Sequence, residues 1–421
     1  MTLVARVRAG GASSSTAQLS PAERRLWEQW QGPQLEPLLA SGAVALLDAR
    51  WLIELGENGG VLRPRQALPE KAFLSLSEVI VASSPRSLAV VCISHCWLQP
   101  DHPDPCGHNL HAIVRRLKSM LKSRWYKRGL AVFIDFCCIH QECRGADGVP
   151  RDRLLVTAER AVKAVGRTSS EERLYQQALR GLGTLYAHLV TSVWMMTELP
   201  PDYDVRMRYP MSKENASYHE RGWCFCEATW ASMVKNQELT LDLSLDKSEG
   251  DVDFNQLVNE CQVPRPAPVL PAAMDEALAR LFYSNARDKL SLSRLYRQSF
   301  ATCYGNVMEY NFSWLGWGDV EAIAVADVLI EVRPPELHLV RLGHNRVGDE
   351  GARALANALT AYSRSIGLAL QHNAVGDDGA FAFAAMLRKT RVRHLNLEGN
   401  PISEEAIAAL RAADRDGKLR I

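Results

Sequence analysis

The 421-residue chain predicts an α/β protein, a parallel sheet covered by helices on both sides and then a short solenoid of smaller α/β units. Three observations predict it. Continuous apolar runs at 88–94, 130–135 and 189–196 alternate with helical patterns, as strands buried on both faces do. Asn345 and Asn373 are 28 apart (373 − 345), Asn400 follows 27 later, and Gly351 and Gly379 are again 28 apart, which is a repeat period. The chain is also too long for one ordinary core, so several domains are expected.

Composition narrows the function classes. Apolar content of 47%, charged content of 23% and a formal charge of +1 are ordinary globular values and argue against an extended nucleic-acid footprint. No run of eighteen apolar residues exists, so no membrane span is expected. The cysteines are scattered through apolar segments, as in Cys92, Cys137, Cys138 and Cys224, which suits thiols in a reduced, cytoplasmic compartment. Residues 1–22 hold Arg6, Arg8 and several serines with no acid before Glu23. They read as a disordered tail over 1–20, with an organelle transit peptide as the alternative.

Ser20-Pro-Ala-Glu23 has the form of a capping box with proline at the first helical position, so a helix carrying Leu26, Trp27 and Trp30 is predicted. Residues 21–85 form a lead-in that packs on the next domain, 86–245. In that domain the run Leu88–Ser94 is the first strand and Leu110, Ile113, Val114, Leu117 and Leu121 mark a helix. Leu130–Asp135 is the second strand, and Ser169 and Glu172 cap the next helix. Leu189–Met196 is the third strand, a helix covers about Trp223–Val234, and Leu239–Leu245 is a fourth strand. The first should lie central and parallel to the other two. Prolines 264, 266, 268 and 271 make 246–305 a linker, ending in a helix from Met274 to about Tyr296. With repeats over 306–421, deletion of that segment is expected to leave the central domain folded.

Each repeat asparagine follows apolar residues three and five positions earlier, and an alanine-rich helix comes after Val347-Gly-Asp-Glu-Gly351 and Val375-Gly-Asp-Asp-Gly379. The asparagine amide can satisfy backbone groups where the chain turns, and small residues let the helix pack closely. Gly318-Asp-Val-Glu-Ala322 marks an earlier unit with Leu315 in the asparagine position. Over about 308–411 this resembles the ribonuclease-inhibitor class of leucine-rich repeats. The resemblance implies a protein partner, since so short a solenoid leaves an open end to be capped or docked.

Three further segments resemble the TIR domain and its fungal relative, the HET (heterokaryon incompatibility) domain. Val90-Val-Cys-Ile-Ser-His-Cys-Trp97 is similar to the first strand and following loop of both families. Phe133-Ile-Asp-Phe-Cys-Cys-Ile-His-Gln141 is similar to the HET pattern, with His140 in place of its asparagine. Arg221-Gly-Trp-Cys-Phe-Cys-Glu227 is similar to the TIR Trp-Cys-x-x-Glu. A long insert over 143–167 departs from the TIR pattern.

The resemblance implies a flavodoxin-like sheet with its ligand at the carboxyl ends of the strands. It makes Glu227 the catalytic carboxylate for splitting NAD, a substrate and not a cofactor, between nicotinamide and ribose. A negative charge there stabilises an oxocarbenium-like state. Ser94, His95, Trp97, Asp135 and Trp223 become the substrate-binding residues. Trp223 and Glu227, four apart, share one helix face.

Other readings stay on the table beside it. Glu227 pairs with Arg221 or caps a loop, Asp135 caps a turn, and the domain is a homo-oligomerising scaffold with no turnover. Cys92, His95, Cys96, Cys106 and His108 match no closed zinc set, and Cys137, Cys138, His140 and Cys143 do no better, so no metal is expected. A nucleophile at Cys224 or Cys226 has no histidine at a supporting spacing, and His188 reads as a core histidine. The expected protein is thus a cytosolic signalling or defence-type protein, either NAD hydrolase or interaction scaffold.

Overall fold

The computed structural model describes residues 19–83, 88–99, 102–123, 126–142, 167–200, 216–362, 365–390, 392–415 and 417–421. The tail reading up to residue 18 and the insert over 143–166 lie outside the described residues. The chain forms two compact units that are not consecutive in sequence. One draws on Met1–Leu185, Val190–Asn215 and Leu243–Glu260, the other on Tyr186–Leu189, Ala216–Asp242 and Cys261–Ile421.

The first unit holds strands β1 (Leu46–Asp48), β2 (Phe73–Leu74), β3 (Val90–His95), β4 (Ala131–Phe133) and β5 (Ser192–Met196). They lie side by side in the order β2-β1-β4-β3-β5. β3 is parallel to β4, with Val90 opposite Ala131, and parallel to β5, with Val91 opposite Ser192. Every residue of β3, β4 and β5 is buried, as their continuous apolar runs require. β1 runs antiparallel to both β4 and β2. The lead-in therefore does not merely pack on the sheet: it extends it by two strands.

Helix Pro21–Gln29 begins at the predicted capping box, where Ser20 N donates to Glu23 Oε2 at 2.8 Å. Helix His108–Lys122 buries Leu110, Ile113, Val114, Leu117 and Met120. Helix Ser169–Ala187 is capped one residue earlier than predicted, by Thr168, whose Oγ1 accepts from Glu171 N while its own N–H donates to Glu171 Oε2. The segment 243–260 joins this unit through a buried Arg116–Asp246 ion pair and the Arg116 Nη1 bond to Gly250 O at 2.9 Å.

The second unit contains helix Gly222–Ser232, β6 (Thr240–Asp242), and helices Pro271–Leu278 and Asp288–Gly305. The expected fourth strand is thus only three residues long. The expected helix from Met274 to Tyr296 is two helices, because Phe282 leaves the helical path. Phe282 N donates to Glu220 O and Phe282 O accepts from Gly222 N, forming a bridge to a distant segment.

The repeats follow as β7 (Glu309–Asn311), β8 (Leu339–Arg341), β9 (Gly367–Ala369), β10 (His394–Asn396) and β11 (Leu419–Arg420), parallel neighbours in sequence order. Tyr310, Val340, Leu368 and Leu395 point into the core, beneath helices Asp319–Val332, Asp349–Ala361, Asp377–Lys389 and Glu404–Ala413.

Two side-chain ladders lock these turns. Asn345 Oδ1 accepts from Leu315 N (3.0 Å) and Trp317 N (3.1 Å), while Nδ2 donates to Phe312 O (2.7 Å) and Leu342 O (2.9 Å). Asn373 and Asn400 repeat this toward Val347 N and Val375 N. The first repeat, with Leu315 in the asparagine position, is therefore served by its neighbour's amide.

The second ladder was not anticipated. Asp319 Oδ1 accepts from Gly348 N and Gly351 N, and Asp349 Oδ1 from Gly376 N and Gly379 N. A Cβ at Gly351 would lie 2.8 Å from both Ala322 Cβ and Asp319 Oδ1, so the close approach demands glycine.

A boundary at 306 does not separate two cores. Arg265 donates to Ser232 O (2.7 Å) and Asn311 O (3.0 Å), and Trp317 Nε1 donates back to Arg265 O (2.9 Å). Tyr310 Oη also donates to Tyr304 O at 2.7 Å. The proline-containing segment and the helix before the repeats are part of the same unit as the repeats.

Candidate functional site

The carboxyl ends of β3 and β4 bring four predicted residues into one neighbourhood of the first unit. Ser94 and His95 end β3 and are buried; Trp97 lies two residues on. Asp135 opens a helical turn, Asp135–Cys138, directly after β4. Its Oδ2 accepts from Trp97 Nε1 at 3.0 Å, and its Oδ1 accepts from Phe136 N at 2.7 Å. His95 Nε2 is 3.7 Å from Asp135 Oδ1. Trp97 packs edge-on against Phe136 with centroids 5.4 Å apart. Asp135 thus holds a turn and positions an indole at the same time.

Burial pulls the His95 imidazole toward its neutral form. The negative charge of the adjacent Asp135 carboxylate, helped by Asp104 and Cys96, outweighs that and raises its pKa. Beside it, His102 Nδ1 accepts from Asp104 N at 3.0 Å, so Nε2 carries the proton that bonds Leu62 O at 2.9 Å. Gln141 secures the turn from below, donating to Asp135 O and Ile139 O. The neighbouring thiols are inert: burial drives Cys138 up to about 12 and Cys137 upward as well. Among the described residues no cluster of three or more His, Cys, Asp or Glu could hold a metal ion.

Trp223 and Glu227 belong to the second unit, on helix Gly222–Ser232, which is buried nearly all round. Trp223 Nε1 donates to Asp288 Oδ2 at 2.9 Å, and burial raises the Asp288 carboxyl while that bond opposes it. Glu227 is only 7% exposed. Arg221 Nε donates to Ala216 O at 3.0 Å. Burial, and then the Glu227 charge, push the Cys226 thiol up, which disfavours it as a nucleophile. Asp288 is a candidate that sequence reasoning missed, because its partner lies 65 residues away.

A third feature was also missed. Trp314, His344 and His372 occupy equivalent turns of successive repeats, each in the left-handed region at φ 64°, 58° and 54°. Their rings form a ladder: Trp314 on His344 at 3.7 Å and 8°, His344 on His372 at 4.6 Å and 29°. Gly399, at φ 72°, takes the fourth such turn. The signal was the residue preceding each repeat asparagine (His344, His372, Gly399), with Trp314 before Leu315 in the degenerate unit.

Among the described residues no helix is long and apolar enough to cross a membrane. No curated protein matches the chain. The family profile for the Leucine Rich repeat matches residues 337–356 and 368–384, so the second and third units of the solenoid are leucine-rich repeats.

Proposed function

We propose that the chain is a partner-recognition protein whose repeats bind another protein and whose α/β unit is a TIR/HET-like element that assembles or switches in response. The observation that carries this is the rigid, doubly laddered repeat sheet with exposed aromatic rings along its strand-to-helix turns. Such surfaces serve protein recognition, because a pre-ordered scaffold loses little entropy on binding. The test is a photo-crosslinking residue at Arg341 in the full chain, expressed in its own cells. A captured protein that then slows amide exchange across 339–420 supports the reading. Capture of nothing there, with binding mapped to the first unit, rejects it.

The finer reading is hydrolysis of NAD at the nicotinamide–ribose bond. In that reading Glu227 is the catalytic carboxylate, Ser94, His95, Trp97, Asp135 and Trp223 bind the dinucleotide, and a homo-oligomer in the cytosol is the working form of a signalling or defence protein. It is favoured by the convergence of His95, Trp97 and Asp135 at the carboxyl ends of parallel strands with β3 between β4 and β5. The near-complete burial of Glu227 favours the interaction reading instead. Release of nicotinamide from NAD by the full chain, lost by about a hundredfold or more in Glu227→Gln with unchanged melting, would establish the enzyme. Absence of release with and without forced oligomerisation would retire it.

A further inference from the structure

Between the last two helix-bearing repeats, where each helix returns to its strand, the chain leaves a crevice of about 170 Å3. Its rim is cationic. Arg388 and Lys389 stand on the last turn of helix Asp377–Lys389, and Arg415 and Lys418 on the loop after helix Glu404–Ala413. All four are exposed, and among the described residues none of them is ion-paired. The one carboxylate among the described lining residues is Asp414. Its Oδ1 accepts from Lys418 N at 3.1 Å and its Oδ2 from Leu419 N at 2.9 Å, so it is spent on holding the loop.

Closing the repeats does not require these cations. Basic side chains in a last turn offset the unpaired carbonyls there, yet helices Asp319–Val332 and Asp349–Ala361 end with none. The residues 28 positions before Arg388 and Lys389 (388 − 360) are Thr360 and Ala361. Of the carbonyls at the two helix ends, Met386 O already accepts from Thr390 N and Thr390 Oγ1, and Leu410 O from Asp414 N. Two helix C-termini bring about half a negative charge each and Asp414 brings one, against the four cations, so the crevice is left with about two positive charges. Like charges gathered round one depression repel until an anion joins them.

The balance chooses the anion. A phosphate monoester carries roughly −1.5 to −2 at neutral pH and offers three strong acceptor oxygens, whereas a carboxylate brings one charge and two oxygens. Arginine forks and lysine point charges both suit phosphate. We propose that the crevice between Arg388, Lys389, Arg415 and Lys418 is a binding site for the phosphate group of a phosphate monoester. The site stands whether or not the repeat sheet binds a protein.

The experiment titrates the full chain into two probes at about pH 7.5 and follows their 31P line widths: capped phosphoserine, and a capped heptapeptide with phosphoserine at its centre. At least one line should broaden saturably, and the same heptapeptide with glutamate at its centre should compete about tenfold more weakly or worse. Arg388→Gln with Arg415→Gln should weaken binding about tenfold or more, and Arg388→Lys with Arg415→Lys, which keeps both charges, should hold it within about threefold. Lys289→Gln with Arg294→Gln removes two charges from exposed sites on helix Asp288–Gly305 and should change it by less than about twofold. Tighter binding of the peptide assigns the phosphate to a phosphorylated protein segment, and equal or tighter binding of capped phosphoserine assigns it to a free phosphorylated compound. No saturable broadening of either probe, equal competition by the glutamate peptide, or equal weakening by the two glutamine pairs would each overturn the proposal.

Discussion

Replacement of Asn345 by alanine should cost far more stability than the same change at Asn373, although the two occupy the same position in successive repeats. Asn345 makes four bonds to backbone groups. Without it, Leu315 N, Trp317 N and Phe312 O lose their partners, while Leu342 O keeps the bond from Asn373 Nδ2 at 2.9 Å. Asn373→Ala strands only Val347 N, because Leu342 O still receives Asn345 and Leu370 O still receives Asn400. At a low-end ~1 kcal/mol per stranded buried group, the losses are about 3 and about 1 kcal/mol. Asn345→Asp should not rescue, since a carboxylate accepts from the two N–H groups but cannot donate to the two carbonyls. The assay is urea unfolding read by amide exchange over 309–396, which isolates the repeats from a separate transition of the first unit. Equal losses for Asn345→Ala and Asn373→Ala would refute the accounting of who serves whom.

Gly351→Ala should cost about 1–3 kcal/mol through overpacking against Ala322 and Asp319. Gly250→Ala, where a Cβ meets nothing within 4 Å, should be neutral by the same denaturation measurement. The raised pKa of His95 means that the folded state holds its proton more tightly than the unfolded chain. The stability this adds is complete below the ordinary value of 6.5 and is lost as pH rises through the raised one. The first unit's unfolding midpoint should accordingly fall with rising pH above about 6.5 in wild type and stay level in His95→Gln. Deletion of 306–421 should abolish the second unit's calorimetric transition and leave the first unit's in place, since Arg265 loses Asn311 O and the Trp317 indole. Two retained transitions would contradict the shared core.

What could be read without coordinates was whatever repeats or runs uninterrupted. The strands β3, β4 and β5 are apolar on both faces, so their places along the chain show in hydropathy alone. The solenoid shows in the spacing of Asn345, Asn373 and Asn400. β1 and β2 escaped, being only three and two residues long, too short for a run or an alternation to show, and β2 is only half-buried. The break at Phe282 escaped because it depends on Glu220 and Gly222, sixty residues earlier in the chain (282 − 222), and no local propensity encodes it. Of the candidate residues, His95, Trp97 and Asp135 were brought together because two adjacent strand ends carry them. The Trp223–Asp288 bond joins segments whose pairing no spacing reveals.

The two repeat ladders point in opposite directions along the chain. Asn345 and Asn373 reach back to the preceding turn, whereas Asp319 and Asp349 reach forward to the next. The three junctions between the four helix-bearing units are therefore each fastened from both sides, by an asparagine of the later unit and an aspartate of the earlier one. A whole unit can be inserted, removed or duplicated without severing a bond type, because the newcomer brings one backward and one forward hook. A cut through the middle of a unit leaves one neighbour holding a hook with no eye. The solenoid is in this sense an interchangeable-parts assembly: the unit is the natural step of its length, and the spacings of 30, 28 and 27 residues between Leu315, Asn345, Asn373 and Asn400 show that small differences within a unit are absorbed without loss of either hook.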